Sequence, residues 1–121
     1  MTTQEIANRI VRQHVSECLR LQRALDSTDN DAIHEFRLAC KRLRYAIERF
    51  ELPARAADAA ILARITDELG SAHDCVLLGK LARKAAASAV AWRAKQDRSR
   101  HMKNGRALWH ALLPTLERRV A

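Results

Sequence analysis

Residues 33–45 of this 121-residue chain read IHEFRLACKRLRY, and their spacing predicts an amphipathic helix. Its cationic and potentially cationic side chains recur at steps of three, four and three residues: His34, Arg37, Lys41 and Arg44. At about 100° per residue these four share a sector of roughly 80° on one face of a helix. Apolar side chains form a second stripe about a quarter turn away: Ile33, Phe36, Cys40, Leu43 and Ile47. Cations aligned in one row repel each other, so the row predicts an anion bound across it.

The composition of the whole chain favours a single all-helical domain over residues 1–121. The chain is 48% apolar and has only three glycines and two prolines, while Ala, Leu, Arg, Lys and Glu dominate. Its length suits one compact domain with one core.

The charge balance points to a polyanionic partner. A formal net charge of +8 suits nucleic acid, polyphosphate or an anionic membrane surface, and by itself does not choose among them.

No apolar run approaches the roughly 20 residues that cross a bilayer, and residues 1–13 lack an apolar signal core. We therefore expect a cytoplasmic protein without membrane insertion. Cys18, Cys40 and Cys75 have no metal-type spacing, which predicts buried, reduced thiols.

Amphipathic periodicity predicts the first two helices. The first runs over about residues 3–26, and the polar segment 27–31 ends it and caps the next. The second helix runs to about residue 51 and stops before Pro53.

The glycines and the second proline predict the later boundaries. A third helix covers about residues 54–69, with Gly70 as a left-handed C-cap. Ser71 and Asp74 resemble a capping box that opens a fourth helix, which continues through Ala85 and on toward Trp92.

The C-terminal part of the chain predicts one more helix. Asn104 and Gly105 offer a break before it, and Pro114 disturbs it. Short connections between amphipathic helices favour antiparallel neighbours. The expected fold is an all-α antiparallel four-helix bundle with an additional C-terminal helix.

Basic rows also occur outside the second helix. One row lies on the first helix: Arg9, Arg12, Arg20 and Arg23. Another lies on the fourth predicted helix: His73, Lys80 and Lys84. Rows on three neighbouring helices would line a positively charged groove. The planar guanidinium group of arginine suits two-point contacts with phosphate oxygens in such a groove. Arg42 points away from the main row and has a secondary role.

A purely structural interpretation of the basic row stays open beside the anion-binding one. A basic helix face taken alone is more often a solvated surface than a site. In that interpretation Arg44 pairs with Glu48 as an ordinary i,i+4 surface contact.

The motifs of several enzyme classes are absent from the sequence. There is no Walker-type loop and no carboxylate pair placed for metal-assisted phosphoryl transfer, and the five histidines show no metal-ligand clustering. We expect no metal, no cofactor and no catalysis. The alternatives are a nucleic-acid-binding helical domain, a hydrolase acting on phosphate esters or polyphosphate, and a module that meets an acidic protein.

Two motifs resemble those of the CHAD family, the conserved-histidine α-helical domains. The first reads H-x-x-R-x-x-x-K-R-L-R-Y-A-I-E over residues 34–48, and the second reads LGSAHD over residues 69–74. The resemblance implies a helical module that binds inorganic polyphosphate in a basic channel, often in bacteria or archaea and sometimes at polyphosphate granules. It carries the anion-binding role onto His34, Arg37, Lys41 and Arg44, and less directly onto Arg42 and His73.

The chain departs from the family's usual layout in one respect. Full-length members usually contain two bundles that face each other across a central pore, and each bundle has its own motif. This chain has one copy, so it resembles one half of a CHAD domain. A symmetric homodimer would place the same basic face on both sides of a channel.

Overall fold

The computed structural model describes residues 1–50 and 55–120, and it is all-α. The described residues form four α-helices and one 3₁₀ helix, and they contain no strand. The helices are α1 (Thr3–Leu21), α2 (Asn30–Arg49), α3 (Ala56–Lys84) and α4 (Ser88–Val120), and the 3₁₀ helix Gln22–Asp26 continues α1. The prediction of an all-α helical bundle is confirmed.

Side-chain caps begin the first two helices where the sequence predicts them. At the start of α1, the Glu5 backbone N–H donates to the Thr2 hydroxyl, and the Thr2 backbone N–H donates to the Glu5 carboxylate at 2.9 Å. At the start of α2, the Asp29 carboxylate accepts from the backbone N–H of Asp31 at 3.0 Å. These contacts satisfy N–H groups that have no partner within the helix.

The four helices pack in chain order around one core. α2 lies between α1 and α3, α3 packs along α4, and α4 closes back onto α1. At the centre, the rings of Phe36 and Trp109 meet edge to face, with their centroids 4.9 Å apart. Both side chains are fully buried, which contributes roughly 1.5–3 kcal/mol each. The Trp109 indole N–H donates to the Gln22 amide oxygen at 3.1 Å and so ties α4 to the end of α1.

The predicted boundary at Gly70 is wrong, because α3 runs through it without interruption. No described glycine has a positive φ, so Gly70 is not a left-handed C-cap, and Ser71 does not open a new helix. A Cβ at Gly70 would lie 2.9 Å from Nη2 of Arg37 on α2. The glycine therefore gives the Arg37 guanidinium room against α3.

The chain reverses direction at Ala85–Ala87, where a continuous helix was predicted. Ala86 has a φ of 54°, and the Ala87 backbone N–H donates to the Ala82 carbonyl at 2.8 Å. This is the left-handed turn that ends many helices, usually at glycine or asparagine. Alanine is an uncommon residue at this position, so the sequence does not mark it.

The predicted break at Gly105 is also wrong. α4 continues through Gly105 and Pro114, so the expected additional helix is the second half of α4. Gly105 is buried, and a Cβ there would lie 3.2 Å from Cδ2 of Leu69, so this glycine allows α3 and α4 to approach each other. Buried Leu112 and Leu116 hold the helix on either side of Pro114. The predicted end of the second helix near residue 51 and start of the third near residue 54 lie outside the described residues.

Candidate anion-binding site

The antiparallel packing of α2 and α3 brings the two histidines of the separate motifs together. The ring centroids of His34 and His73 lie 6.2 Å apart, with the rings tilted by 35°. Both side chains are exposed, so their ring nitrogens are accessible to a ligand. We call the surface between α2 and α3 on this side of the bundle the α2–α3 groove.

Arg37 is fixed against α3 beside this pair. Its Nε donates to the Thr66 backbone carbonyl at 2.9 Å, and its guanidinium lies over Gly70. The side chain is half-buried, but its acceptor is a neutral carbonyl oxygen. The guanidinium therefore keeps its charge while its position is held, so it loses less side-chain freedom when a ligand binds.

A small cavity opens between the two histidines and α4. Its volume is about 20 Å³, room for about one water molecule. Its polar lining comes from three helices: Asn30, His34, Arg37, His73 and Arg98. Arg98 is the residue that the sequence interpretation missed, because it belongs to neither motif and lies far along the chain from both.

Lys41 and Arg44 continue the row along α2. The guanidinium carbon of Arg44 lies 4.8 Å from the ring centroid of Tyr45, a cation–π contact. Its Nε is buried and has no hydrogen-bond partner within the described part of the chain. The ion pairs found there do not include the Arg44–Glu48 pair of the purely structural interpretation.

The basic residues of the α2 and α3 rows have no carboxylate partner in the described part of the chain. Among residues 1–50 and 55–120, none of the following has a carboxylate at ion-pair distance: His34, Arg37, Lys41, Arg44, His73, Lys80 and Lys84. Lys80 and Lys84 are exposed and follow His73 along α3. A surface that concentrates unpaired positive charge attracts anions.

Arg42 lies on the other side of α2, facing α1. The pKa of Glu17 on α1 is lowered, first by its hydrogen bond from Arg20 and to a smaller extent by the charges of Arg42 and His14. Arg42 is therefore close to α1 and separate from the α2–α3 groove.

The last two arginines of the α1 row lie beside α4 instead of the α2–α3 groove. Arg20 Nε donates to the Glu17 carboxylate at 3.0 Å, and Arg20 and Arg23 border a concavity beside His110. The pKa of Arg55, the residue just before α3, is lowered mainly by burial. The charge of Arg12, which lies nearer to the N-terminus of α1, contributes to that lowering, so Arg12 lies close to Arg55. Arg9 belongs to the same row and is exposed. The structure thus joins the rows of α2 and α3, and it does not bring the row of α1 to them.

The described residues offer no metal site. No group of three or more His, Cys, Asp or Glu side chains in residues 1–50 and 55–120 is arranged to hold a metal ion. Cys18 and Cys40 are buried free thiols, and a hydrogen bond with Cys18 together with burial raises the pKa of Cys40. Cys75 is a free thiol that is only partly buried. None of the helices in this part of the chain has the length and apolar character of a membrane span.

Comparison with known proteins gives one family. A family model described as the CHAD domain matches residues 1–83, from the start of the chain almost to the end of α3. No match was found among curated proteins or among solved structures. The match covers both histidines of the groove, whereas α4 and its Arg98 lie beyond it.

Proposed function

Since this chain belongs to the CHAD family, we propose that it binds inorganic polyphosphate in the α2–α3 groove. The family is linked to polyphosphate binding, and its domains generally bind ligands without catalysing a reaction. The observation that supports the proposal is that His34, Arg37 and His73 lie together at the groove with no carboxylate partner among the described residues.

Binding in this groove would consist of charge-assisted hydrogen bonds along a repeating polyanion. Arg37 and Arg44 suit two-point contacts with phosphate oxygens, whereas Lys41 acts as a point charge. An imidazole donates a hydrogen bond when neutral and adds a positive charge when protonated. A polyanion also releases condensed counter-ions when it binds, so the affinity should fall steeply as salt rises.

A binding isotherm with long-chain polyphosphate at several salt concentrations tests this proposal. We expect saturable binding that weakens with salt, and a chain that does not bind at low salt would contradict it. DNA and RNA competitors at equal phosphate concentration separate polyphosphate from the nucleic-acid alternative. Polyphosphate should bind more tightly than either nucleic acid. It should therefore displace bound DNA or RNA at a lower phosphate concentration than DNA or RNA needs to displace bound polyphosphate.

The hydrolase alternative needs its own measurement. Incubation with polyphosphate and a divalent metal ion should release no orthophosphate above a protein-free control. Release that scales with protein concentration would show an enzyme in place of a binding module.

We also propose that polyphosphate lies between two copies of this chain in a homodimer. The support is a group of exposed apolar side chains on the connected ends of α3 and α4: Leu77, Leu78, Leu81, Val90 and Trp92. A net charge of +8 opposes self-association, so the anion should promote it. Sedimentation with and without polyphosphate tests this, and a monomer that binds polyphosphate tightly would contradict it.

The corresponding location in a cell would be the cytoplasm, at polyphosphate granules. A fluorescent fusion of the chain should colocalise with granules, and the same fusion carrying Arg37→Ala should spread through the cell.

A further inference from the structure

Arg98 on α4 borders the same cavity as His34, Arg37 and His73. Its Nη2 donates to the Asn30 amide oxygen at 3.0 Å, and its side chain is half-buried. Neither sequence motif contains it, and the family match ends before α4 begins. Its position in the cavity is therefore information that only the structure supplies.

Arg98 has a different kind of partner from Arg93 and Arg100, the arginines near it on α4. Arg93 Nε and Arg100 Nη2 lie 3.4 Å and 3.5 Å from the same Asp97 oxygen, so both are paired with a carboxylate. Arg98 is next to Asp97 in the chain, yet in the described part of the protein it has no ion pair. Its hydrogen-bond partner is a neutral amide.

A neutral partner orients a guanidinium without cancelling its charge. The group has five N–H donors, and the contact with Asn30 uses one of them. The remaining donors stay available to an anion at the mouth of the cavity. A hydrogen bond to an ionised acceptor is roughly twice as strong as one between neutral groups, so a phosphate oxygen competes well with the amide for Arg98.

The cavity gathers donors from three helices. α2 supplies His34 and Arg37, α3 supplies His73, and α4 supplies Arg98. Farther along the groove, Lys41 and Arg44 lie on α2 alone. A phosphoryl group at the cavity mouth can therefore be contacted from three sides, in contrast to one placed beside Lys41.

We propose that Arg98 is a phosphate-binding residue and that this cavity mouth holds one phosphoryl group more tightly than the rest of the groove. This inference rests on the proposed function. The remainder of a longer polyphosphate would then follow the row of α2 or the lysines of α3.

The test compares Arg98→Ala with Arg93→Ala, which removes an equal charge from the same helix. Each variant is titrated with tripolyphosphate and with long-chain polyphosphate at one ionic strength, and thermal melts followed by circular dichroism check folding. Arg98→Ala should raise the Kd for both ligands by about tenfold or more, since it removes charged hydrogen bonds. Arg93→Ala should change the Kd by about twofold or less, because Arg93 is exposed, pairs with Asp97 and does not line the cavity.

The outcomes separate this inference from the proposed function. If the parent binds polyphosphate and Arg98→Ala binds like Arg93→Ala, the role of Arg98 is overturned and polyphosphate binding stands. If the parent binds neither ligand, the proposed function fails and this inference fails with it. If Arg98→Ala does not fold, Arg98→Lys and Arg93→Lys decide, since both keep the charge. Weaker binding by Arg98→Lys alone supports the role, and equal binding by the two overturns it.

Discussion

Two surfaces of this molecule carry arginines whose guanidinium groups are held by different kinds of acceptor. In the α2–α3 groove and its cavity, Arg37 and Arg98 are held by a backbone carbonyl and a side-chain amide. On the α1 side, Arg20 is held by the carboxylate of Glu17. A neutral acceptor fixes a guanidinium and leaves its charge for a ligand, whereas a carboxylate fixes it and cancels the charge. The partners of a basic row therefore indicate more about anion binding than the number of its cations.

The test of this comparison with the largest expected effect sets the variant Arg37→Ala against the variant Arg20→Ala. Arg37→Ala should raise the Kd for polyphosphate by about tenfold or more, because it removes a fixed charge at the centre of the groove. It should lower the free energy of unfolding by only about 1 kcal/mol, the value of one hydrogen bond. Arg20→Ala should leave the Kd within about twofold. Equal losses in the two variants would show that total charge, and not its partners, determines binding.

A second test moves Arg37 without removing a charge. In Gly70→Ala the new Cβ would lie 2.9 Å from Arg37 Nη2, so the guanidinium must shift away from α3. We expect binding several-fold weaker than in the parent. The melting temperature should change little, because the preference of about 0.5–1 kcal/mol for alanine over glycine inside a helix offsets the weakened hydrogen bond from Arg37 to Thr66.

Gly105→Ala is the matched control for Gly70→Ala. Its Cβ would lie 3.2 Å from buried Leu69, so it should lower stability by about 1–3 kcal/mol. It should weaken polyphosphate binding less than Gly70→Ala does, because it displaces an apolar side chain of the cavity and none of its cations. A Gly70→Ala protein that binds like the parent would show that the position of the Arg37 guanidinium does not matter.

A third test asks whether the groove extends along α2 as far as Arg44. Arg44→Ala should weaken polyphosphate binding a few-fold. It should also lower the slope of log Kd against log salt by about one, which is the contribution of one phosphate contact. The measurement is a set of isotherms across salt concentrations for the parent and the variant. An unchanged slope would place the end of the groove nearer to Arg37.

The smallest expected effect concerns the ion pair on the α1 side. The hydrogen bond from Arg20 lowers the pKa of Glu17, so this pair stabilises the folded state while Glu17 is ionised. That contribution is present above the ordinary pKa of a glutamate and is lost as the pH falls through the lowered value. Arg20→Ala should therefore melt slightly below the parent at neutral pH, and the difference should disappear in acid. A difference that grows in acid would contradict the assignment.

Much of the fold and part of the site can be predicted from the sequence. The row of α2 is visible because its cations recur at helical spacing, and the capping residues around residue 29 mark the start of that helix. The pairing of His34 with His73 needs only the antiparallel order of two neighbouring helices.

The parts that could not be predicted depend on contacts between distant segments. Gly70 and Gly105 resemble helix ends in the sequence, but each gives room to a side chain from another helix, Arg37 and Leu69 respectively. The actual reversal lies at Ala86, where a left-handed alanine gives no signal. Arg98 reaches the cavity only because α4 packs along α3, and nothing local distinguishes it from the other arginines of α4.

The length of α3 beyond His73 has a consequence for ligand length. The helical rise sets the separation between His73 and Lys84 on α3 at about 16 Å, and the row from His34 to Arg44 on α2 adds about 15 Å. The two rows therefore have a fixed combined length, and a flexible polyphosphate must extend along that length to contact all of their cations. Affinity per molecule should climb as polyphosphate lengthens until it spans roughly 30 Å, and additional units should contribute little at a single groove.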